Sequence, residues 1–236
     1  MSGAALLDTS RGRWLLAIAA LGEVRAIARG LSVEIDESPW SCTAIGDRFD
    51  AVVTGVGKAN AAGAVARVLD PSRHAGVLSI GIAGTLPDGA GGWRCEIGEV
   101  VCASASVFAD EGVRTPTGFE DVASMGFPPI GDGVSIACDG AAIDRVRTVV
   151  DNVGPVATVS TCSGTDGLAA DIASRTGALC EGMEGAAAGL AAKRVAGDAF
   201  PFLELRVISN TTGDRASQRW EIARAFDRLG ALARVL

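Results

Sequence analysis

The ten residues Cys180-Glu181-Gly182-Met183-Glu184-Gly185-Ala186-Ala187-Ala188-Gly189 set the pattern for the whole chain. An apolar run ends at Leu179, small residues make a turn, and the alanines that follow predict a buried helix. Glu184 therefore lies where a strand meets a helix, and the nearest cations along the sequence are Arg175 and Lys193. A buried carboxylate is costly unless it is paired. Two interpretations follow: an acid favoured by the helix dipole, or a carboxylate in a cleft that accepts hydrogen bonds from a ligand diol.

Length and composition predict one large α/β domain over residues 1–236. Hydrophobic residues make up 48% of the 236 residues and 31 are glycine, which is typical of proteins whose helices press closely on a sheet. The net charge is −7, with the acidic residues scattered. Proteins that bind a phosphate backbone carry a basic stripe, so we expect no nucleic acid partner.

The six cysteines are widely spaced and include no Cys-x-x-Cys pair. Several lie in apolar runs that are typical of buried strands. We interpret them as small hydrophobic residues in a reducing cytoplasm, and we predict neither a disulfide framework nor a zinc site. They are Cys42, Cys95, Cys102, Cys138, Cys162 and Cys180.

The N-terminal region imitates a short signal peptide, because Arg11 and Arg13 are followed by the apolar run 14–21. We favour a first buried strand, since the run is short and leads into a helix-like segment over 22–29. No segment approaches the ~18 consecutive apolar residues of a membrane span, so we expect no membrane partner.

Strand-like and helix-like runs alternate along the chain. The alternation predicts a mostly parallel sheet that is covered on both faces and binds ligands at its strand ends. Residues 108–133 are rich in Gly and Pro and are predicted to form one long loop, which is usually a functional or mobile feature. The predicted strands are 14–20, 50–57, 77–82, 97–107, 156–161 and 202–209, and the predicted helices include 58–69, 166–175 and 217–235.

His74 is the only histidine, and the chain has no tyrosine. The usual general base and most sets of metal ligands are therefore missing, and we expect no metal and no cofactor. His74 follows Pro71-Ser72-Arg73 in an apparent connection between helix and strand, which predicts an exposed loop residue. An enzyme with this composition must use carboxylates and amides.

Three polar side chains stand at strand ends: Glu23 after the first strand, Glu184 before a helix and Asn210 after the last strand. Asp110-Glu111 adds two carboxylates in the long loop. Carboxylates without a metal or histidine suit a reaction with an oxocarbenium-like transition state, in which one carboxylate activates water and another stabilises the sugar.

The turn Gly55-Val56-Gly57-Lys58 begins like a dinucleotide fingerprint, but Asn60 stands where the third glycine belongs. It is not a Walker sequence either, because no serine or threonine follows the lysine. Taken alone, these glycines predict a tight turn with close helix packing.

Four segments, taken together, resemble the nucleoside phosphorylase and nucleosidase superfamily, and within it the futalosine hydrolases of menaquinone biosynthesis. The resemblance implies a three-layer α/β/α sandwich with a central mixed, mostly parallel sheet, and an N-ribosidic bond as the target. It also implies a cytoplasmic enzyme that forms a homodimer or higher homo-oligomer. The segments are Gly55-Val56-Gly57-Lys58-Ala59-Asn60-Ala61-Ala62, Ser79-Ile80-Gly81-Ile82-Ala83-Gly84, Met183-Glu184-Gly185-Ala186 and Arg206-Val207-Ile208-Ser209-Asn210.

The resemblance implies roles for the carboxylates. Glu184 of the Met-Glu-Gly motif would bind the ribose hydroxyls, with Met183 against the sugar. Glu23, within Ala20-Leu21-Gly22-Glu23-Val24, would activate the attacking water.

The resemblance also implies contacts with the substrate from Gly84 and Ser209 in the matching segments. The stretch Ser163-Gly164-Thr165-Asp166-Gly167-Leu168 would contact the base, with Gly167 and Leu168 as the expected contacts. Gly167 stands where relatives often have an aromatic residue.

Asn210 indicates the subgroup. Adenine-specific relatives have an aspartic acid here, which donates a proton to N7 of the purine. An asparagine cannot supply that proton, but its amide can donate to a 6-oxo group and accept from a protonated N7, which fits hypoxanthine. The resemblance therefore implies hydrolysis of futalosine to hypoxanthine and dehypoxanthine futalosine. The alternative is an asparagine that caps a turn.

Residues 109–119 resemble the acidic loop that lies near the ligand in futalosine hydrolases. Arg114 of this loop can meet the carboxylate of the benzoate substituent, with a solvated surface arginine as the alternative.

Three other functions stay open. A phosphorylase needs cationic or hydroxyl groups around a phosphate near the glycine turns, and no arginine lies in 55–60 or 79–85. A methylthioadenosine/adenosylhomocysteine-type or general purine nucleosidase would share most of these residues. A non-catalytic nucleoside-binding protein is the third, because the residues around Glu23 match the family less closely.

Overall fold

The computed structural model describes residues 6–236. Within them, nine strands form one mixed sheet, two strands form a hairpin, and six helices connect the strands. The strands are β1 (Arg13–Ile18), β2 (Cys42–Ile45), β3 (Phe49–Val53), β4 (His74–Thr85), β5 (Val100–Phe108), β6 (Gly112–Thr115), β7 (Gly118–Asp121), β8 (Ser135–Ala137), β9 (Asn152–Thr158), β10 (Cys180–Gly182) and β11 (Phe202–Thr211). The helices are α1 (Leu21–Leu31), α2 (Lys58–Val68), α3 (Gly140–Val146), α4 (Asp166–Thr176), α5 (Gly185–Ala196) and α6 (Ile222–Val235).

The large sheet has the strand order β10-β9-β5-β11-β4-β1-β3-β2, with β8 beside β5. Parallel pairs join β3 to β1, β1 to β4, β4 to β11, β5 to β9 and β9 to β10, and the other pairs are antiparallel. The predicted mixed, mostly parallel sheet is confirmed. An additional pairing of β10 with β4 closes β10, β9, β5, β11 and β4 into a ring, which the sequence did not predict.

Helices cover both faces of this sheet, as a three-layer α/β/α sandwich requires. Leu16 and Ile18 of β1 belong to an apolar cluster with α1 and α6, whereas Leu15 and Ala17 belong to a cluster with α2 and α5. Successive side chains of a strand point to opposite faces of its sheet. A strand that is apolar on both sides therefore needs a helical layer on each.

The junction between β10 and α5 has the predicted form, because Glu184 stands between the strand and the first residue of the helix. The residue that opens α5, Gly185, has no room for a side chain. A Cβ there would come 2.0 Å from a carboxylate oxygen of Glu204. The small residues of this stretch thus allow α5 to approach β11 closely.

Several predicted segments have other bounds in the structure. Residues 108–133 are not one long loop, because they contain the hairpin β6–β7, in which no residue is buried. A hairpin without a buried face has no hydrophobic alternation to reveal it. The C-terminal helix begins at Ile222 and not at residue 217, so Trp220 lies in the preceding segment.

His74 was predicted to be an exposed loop residue, and this prediction is wrong. His74 is the first residue of β4 and is buried. Its Nε2 lies 3.0 Å from Oδ2 of Asp50, and its Nδ1 accepts a hydrogen bond from the backbone of Asp70 at 3.0 Å. The strand starts three residues before the apolar run, because Asp50 gives the polar ring a buried partner.

All six cysteines are free thiols, and Cys95, Cys102 and Cys180 are buried. In the part of the chain that the structure describes, no helix has the length and apolar character to span a membrane.

Candidate active site

A cavity of about 460 Å³ lies at the carboxyl ends of β4, β10 and β11. Ligand sites of open α/β sheets lie at such strand ends. Six of the eight site residues predicted from the sequence line this cavity: Glu23, Gly84, Met183, Glu184, Ser209 and Asn210.

Glu23 reaches the cavity from the first turn of α1 and is buried. Its Oε2 accepts the backbone N–H of Ala20 and its Oε1 accepts that of Ile82, each at 2.8 Å. Burial raises the pKa of Glu23; Arg206 opposes this shift and the carboxylate of Glu184 adds to it. The carboxyl is thus fixed in place and more basic than an exposed glutamate.

Arg206 is the cation that the sequence around Glu184 lacks. It is fully buried on β11, and its Nη1 lies 3.3 Å from Oε2 of Glu184. The same carboxylate accepts the backbone N–H of Gly57 at 3.1 Å and that of Met183 at 3.3 Å. Glu184 makes no capping hydrogen bond to α5. The geometry favours the carboxylate held in a cleft over the helix cap.

Glu204 is a second carboxylate on Arg206, and the sequence analysis missed it. Its Oε1 accepts from Nε of Arg206 at 2.7 Å, and the hydroxyl of Ser106 donates to its other oxygen. Nη2 of Arg206 donates to the hydroxyl of Ser79 at 3.0 Å. Burial alone would lower the pKa of Arg206, but the carboxylates of Glu204 and Glu184 raise it. All three guanidinium nitrogens are therefore held in place.

Asn210 lies near the end of β11, and its side chain is held by its neighbours in sequence. The hydroxyl of Ser209 donates to Oδ1 at 2.7 Å, and Nδ2 donates to the carbonyl of Thr211 at 2.9 Å. A carboxamide has two donors and two acceptor lone pairs. One N–H and one lone pair of Asn210 therefore stay available to a ligand in the cavity.

Glu181 of β10 lines the cavity and has no role in the sequence analysis. It is buried, its Oε1 accepts the backbone N–H of Ser163 at 2.7 Å, and its Oε2 accepts the hydroxyl of Ser163 at 2.6 Å. Burial raises the pKa of Glu181, and the hydrogen bonds from Ser163 offset only part of the shift. Among residues 6–236, no lysine or arginine forms an ion pair with it.

The segment after β11 forms one rim of the cavity and carries a cation beside an aromatic ring. The guanidinium of Arg215 lies 4.7 Å from the ring centre of Trp220, and its Nη1 donates to Oε1 of Gln218 at 2.8 Å. Gln218 donates in turn to the backbone carbonyl of Ser163 at 3.0 Å. A backbone β-bridge joins Trp220 to Asn210, and both residues line the cavity.

Gly167 and Leu168 do not line this cavity. Both lie in the first turn of α4, and Leu168 borders a separate cavity with Asp110 and Arg114. The hydroxyl of Thr165 caps α4 by accepting the backbone N–H of Leu168 at 3.3 Å. The cap turns the chain away, so of the predicted base-contacting stretch only residues 163 and 164 line the cavity.

Arg114 also lies outside the cavity. Its Nη2 lies 3.6 Å from a carboxylate oxygen of Asp171, and its side chain is 61% exposed. The alternative of a solvated surface arginine is the one that the structure shows.

The acidic loop is tied to the glycine turn. Lys58, at the start of α2, forms ion pairs with Asp110 and, at 3.3 Å, with Glu111. A second cavity, of about 550 Å³, lies beside this network and shares Val56 and Met183 with the first. The loop carboxylates therefore neutralise Lys58 and do not enter the first cavity.

The sequence carries a signal for the pairing of Glu204 with Arg206. Glu204 and Arg206 interrupt an otherwise apolar strand and are two residues apart. Residues i and i+2 of a strand lie on the same face, so a buried pair can be predicted. Glu181 gave no comparable signal, because its partner Ser163 is distant in sequence.

The site combines two carboxylates that lie near Arg206, those of Glu23 and Glu184, with the carboxyl of Glu181, which has no cation beside it, and the carboxamide of Asn210. Within the described residues, no three or more His, Cys, Asp or Glu side chains are grouped to hold a metal ion. An anionic carboxylate can accept sugar hydroxyls, a raised-pKa carboxylate can take a proton from water, and an amide can bind a purine edge.

Residues 43–234 match the family model of the phosphorylase superfamily. The chain belongs to this superfamily. It is similar to a futalosine hydrolase of Streptomyces coelicolor, with 33% identity over 237 residues that cover 94% of this chain and 95% of the relative. It is also similar to a futalosine hydrolase of Acidothermus cellulolyticus, with 34% identity over 183 residues that cover 76% of this chain and 71% of the relative. These relatives confirm the resemblance and the prediction of a nucleosidase-class enzyme.

Solved structures with the same fold include two methylthioadenosine/adenosylhomocysteine nucleosidases. The enzyme of Helicobacter pylori has a TM-score of 0.72 at 15% identity, with 94% of each chain covered. The enzyme of Streptococcus pneumoniae has a TM-score of 0.71 at 18% identity, with 95% of this chain and 100% of that chain covered. At this identity the likeness confirms the nucleoside phosphorylase-like fold and nothing finer.

Proposed function

We propose that the protein hydrolyses the N-ribosidic bond of futalosine and releases hypoxanthine and dehypoxanthine futalosine, a step of menaquinone biosynthesis. The observation that carries the proposal is that Glu23, Glu184 and Asn210 line one cavity although they come from three distant parts of the chain. The curated relatives that are named futalosine hydrolases support it. A cytoplasmic location and a homo-oligomer are part of the same proposal.

Glu184 holds the ribose. Its carboxylate faces the cavity, and three donors fix it: Arg206 and the backbone N–H groups of Gly57 and Met183. An ionised carboxylate accepts the 2′- and 3′-hydroxyls, and these hydrogen bonds strengthen as positive charge develops on the sugar. A hydrogen bond to a charged group contributes ~1.5–3 kcal/mol.

Glu23 activates the attacking water. Two backbone N–H groups fix its carboxylate, and its raised pKa makes it a better base than an exposed glutamate. A general base works best when its pKa approaches the operating pH, and a positioned base contributes about 10²–10⁴-fold in rate. Arg206 opposes the rise in the pKa of Glu23 and so favours the ionised form, which accepts the proton.

Asn210 binds the departing base. The free N–H of its amide donates to the 6-oxo group, which adenine lacks. A buried donor that faces the wrong group costs ~1–3 kcal/mol, so this contact favours hypoxanthine over adenine as the base.

Arg215 and Trp220 bind the benzoate end of the substrate. Arg215 is the one cation that lines the cavity within the described residues, and it stacks on an aromatic ring. A guanidinium pairs with a carboxylate in a planar, bidentate manner, and an aromatic ring offers a surface for the benzoate ring. Arg215 thus takes the role that the sequence analysis gave to Arg114.

The test is chromatographic measurement of base release from futalosine, inosine, methylthioadenosine and adenosylhomocysteine, each with and without phosphate. We expect hypoxanthine from futalosine at the highest rate, with no dependence on phosphate. A rate that requires phosphate would mean a phosphorylase. Tight binding of futalosine without release of any base over hours would mean a nucleoside-binding protein.

A further inference from the structure

The proposed reaction needs a proton donor for the base. When the N9–C1′ bond breaks, its electron pair stays on the purine, and the base leaves as a neutral molecule only if its imidazole ring gains a proton. Asn210 has no acidic proton to give, and an arginine such as Arg215 stays protonated. His74 pairs with Asp50 and does not line the cavity.

Glu181 lies in the same row of the sheet as Asn210. β10 pairs Glu181 with Gly84 of β4, and β11 pairs Asn210 with the same Gly84. Side chains of directly opposite residues in neighbouring strands point to the same face. The register of β11 shifts between Ile208 and Asn210, so the shared cavity, and not the strand pairing alone, brings the two side chains together: both line it.

Gly84 allows the side chains of the β11 end to lie close above β4. A Cβ at this position would come 2.9 Å from Cγ2 of Thr212 and 3.0 Å from Nδ2 of Asn210. Any side chain here would displace the amide of Asn210. The glycine therefore keeps this carboxamide in place in the cavity that Glu181 also lines.

The surroundings of Glu181 favour its protonated form. It pairs with Ala157 of β9 and Gly84 of β4, which are uncharged. The hydrogen bonds from Ser163 favour the ionised form, but they offset only part of the effect of burial on the pKa of Glu181. The charged group that faces it from the loop after β5 is Asp110, which adds to the effect of burial in raising the pKa of Glu181. A buried carboxyl without a cation is more stable as a neutral acid.

Cys162 is the other titratable group beside Glu181. Burial raises the pKa of the Cys162 thiol to about 11, and the Glu181 carboxylate adds to the shift. The thiol therefore stays neutral near pH 7 and neither competes for the proton nor adds a charge.

We propose that Glu181 is the general acid that protonates the purine at N7 as it leaves. This inference rests on the proposed function. The water oxygen bonds to C1′, Glu23 takes a proton from that water, and the N9–C1′ bond breaks with its electron pair moving into the purine. Glu181 gives its proton to N7. Solvent then removes the proton from Glu23 and returns one to Glu181, so the site is restored.

The test compares a cleavable 6-oxopurine nucleoside with its N7-methyl derivative. The methylated base is already cationic before the reaction and leaves as a neutral molecule without an acid. We expect Glu181→Gln to lower kcat/KM about 10²–10⁴-fold for the unmethylated substrate and less than about fivefold for the N7-methyl substrate. Glu23→Gln is the matched control, and it should slow both substrates because both need the activated water.

Three outcomes would overturn the inference. If Glu181→Gln cleaves the unmethylated substrate as fast as the wild-type protein does, an acid role is ruled out. Equal losses for both substrates would mean that Glu181 only supports the fold. If the wild-type protein releases no base from any 6-oxopurine nucleoside, the proposed function fails and this inference fails with it.

Ser163→Ala provides a milder second variant that keeps the acid. The hydroxyl of Ser163 stabilises the ionised form of Glu181, so its removal should raise the pKa of Glu181 further. An acid must be protonated to act, so the alkaline limb of the pH profile of kcat/KM should move to higher pH. An unmoved limb, or one that moves to lower pH, contradicts the assignment.

Discussion

Nη1 of Arg206 lies 3.3 Å from a carboxylate oxygen of Glu184, and both side chains are buried. The pair joins the middle of β11 to the turn after β10. Because Arg206 also binds Glu204 and lies near Glu23, one positive charge interacts with three carboxylates. The properties of the site follow from how that charge is shared.

Glu184→Gln should weaken nucleoside binding and turnover together. The substitution removes a charge-assisted hydrogen bond to the sugar worth ~1.5–3 kcal/mol, which corresponds to roughly 10- to 150-fold in kcat/KM. Steady-state kinetics and calorimetric binding of substrate measure the two effects. Glu37→Gln, which removes an exposed carboxylate paired with Arg25, is the matched control and should leave both unchanged. Unaltered kinetics in Glu184→Gln would contradict its role on the ribose.

Glu23→Gln should lower kcat about 10²–10⁴-fold and change KM little, because the amide cannot take a proton from water. In the wild-type protein, kcat/KM should fall as the pH drops below the raised pKa of Glu23, since only the ionised carboxylate acts as a base. The pH profile measures this acid limb. Turnover that survives in Glu23→Gln would mean that another group activates the water.

Glu204→Gln should move the acid limb of the pH profile, which reports the pKa of Glu23, to lower pH. The substitution removes a negative charge that lies 2.7 Å from Arg206, so the guanidinium acts more strongly on the remaining carboxylates. Arg206 already opposes the raised pKa of Glu23, and a stronger effect lowers that pKa further. Ser106→Ala removes a hydrogen bond to Glu204 without removing the charge, and should move the limb much less. If the acid limb does not move, Glu204 does not influence the pKa of Glu23.

Asn210→Asp should shift the preference from 6-oxopurine toward 6-aminopurine nucleosides, by roughly tenfold or more. A protonated aspartic acid can donate to N7 and accept from the exocyclic amine, whereas the asparagine amide donates to a 6-oxo group. The ratio of kcat/KM for inosine and adenosine measures the change. An unaltered ratio counts against the assigned contact.

Arg215→Ala should raise KM for futalosine about 3- to 10-fold, and should change KM for inosine, which has no carboxylate, far less. Arg215 lines the cavity, whereas Arg114 pairs with Asp171 at the surface. Arg114→Ala is therefore the matched control and should leave both values unchanged. If Arg114→Ala raises KM for futalosine and Arg215→Ala does not, Arg114 is the residue that binds the carboxylate.

The sequence predicted those parts of the fold that follow from local pattern. Buried strands and alanine-rich helices repeat with clear periodicity, and the junction at Glu184 is visible as small residues around one acid. The hairpin β6–β7 has no buried face and so left no pattern. His74 was misplaced because its partner, Asp50, lies on another strand.

The site was predictable to the extent that its residues stand at strand ends. Glu23, Glu184 and Asn210 do, and they line one cavity. The pairings between them are not local: Arg206 reaches Glu184 across the sheet, and Glu181 finds Ser163 in another segment. Periodicity shows which face a residue occupies, but it does not show which buried group faces it from a different strand.

The proposed function requires the protein to select a 6-oxopurine and to cleave it from ribose with water. The most direct test is a competition in one vessel, with futalosine and methylthioadenosine at equal concentration and both released bases quantified by chromatography. We expect hypoxanthine in large excess over adenine at early times. Adenine released as fast as hypoxanthine, or in excess of it, would contradict the proposed selectivity for a 6-oxopurine.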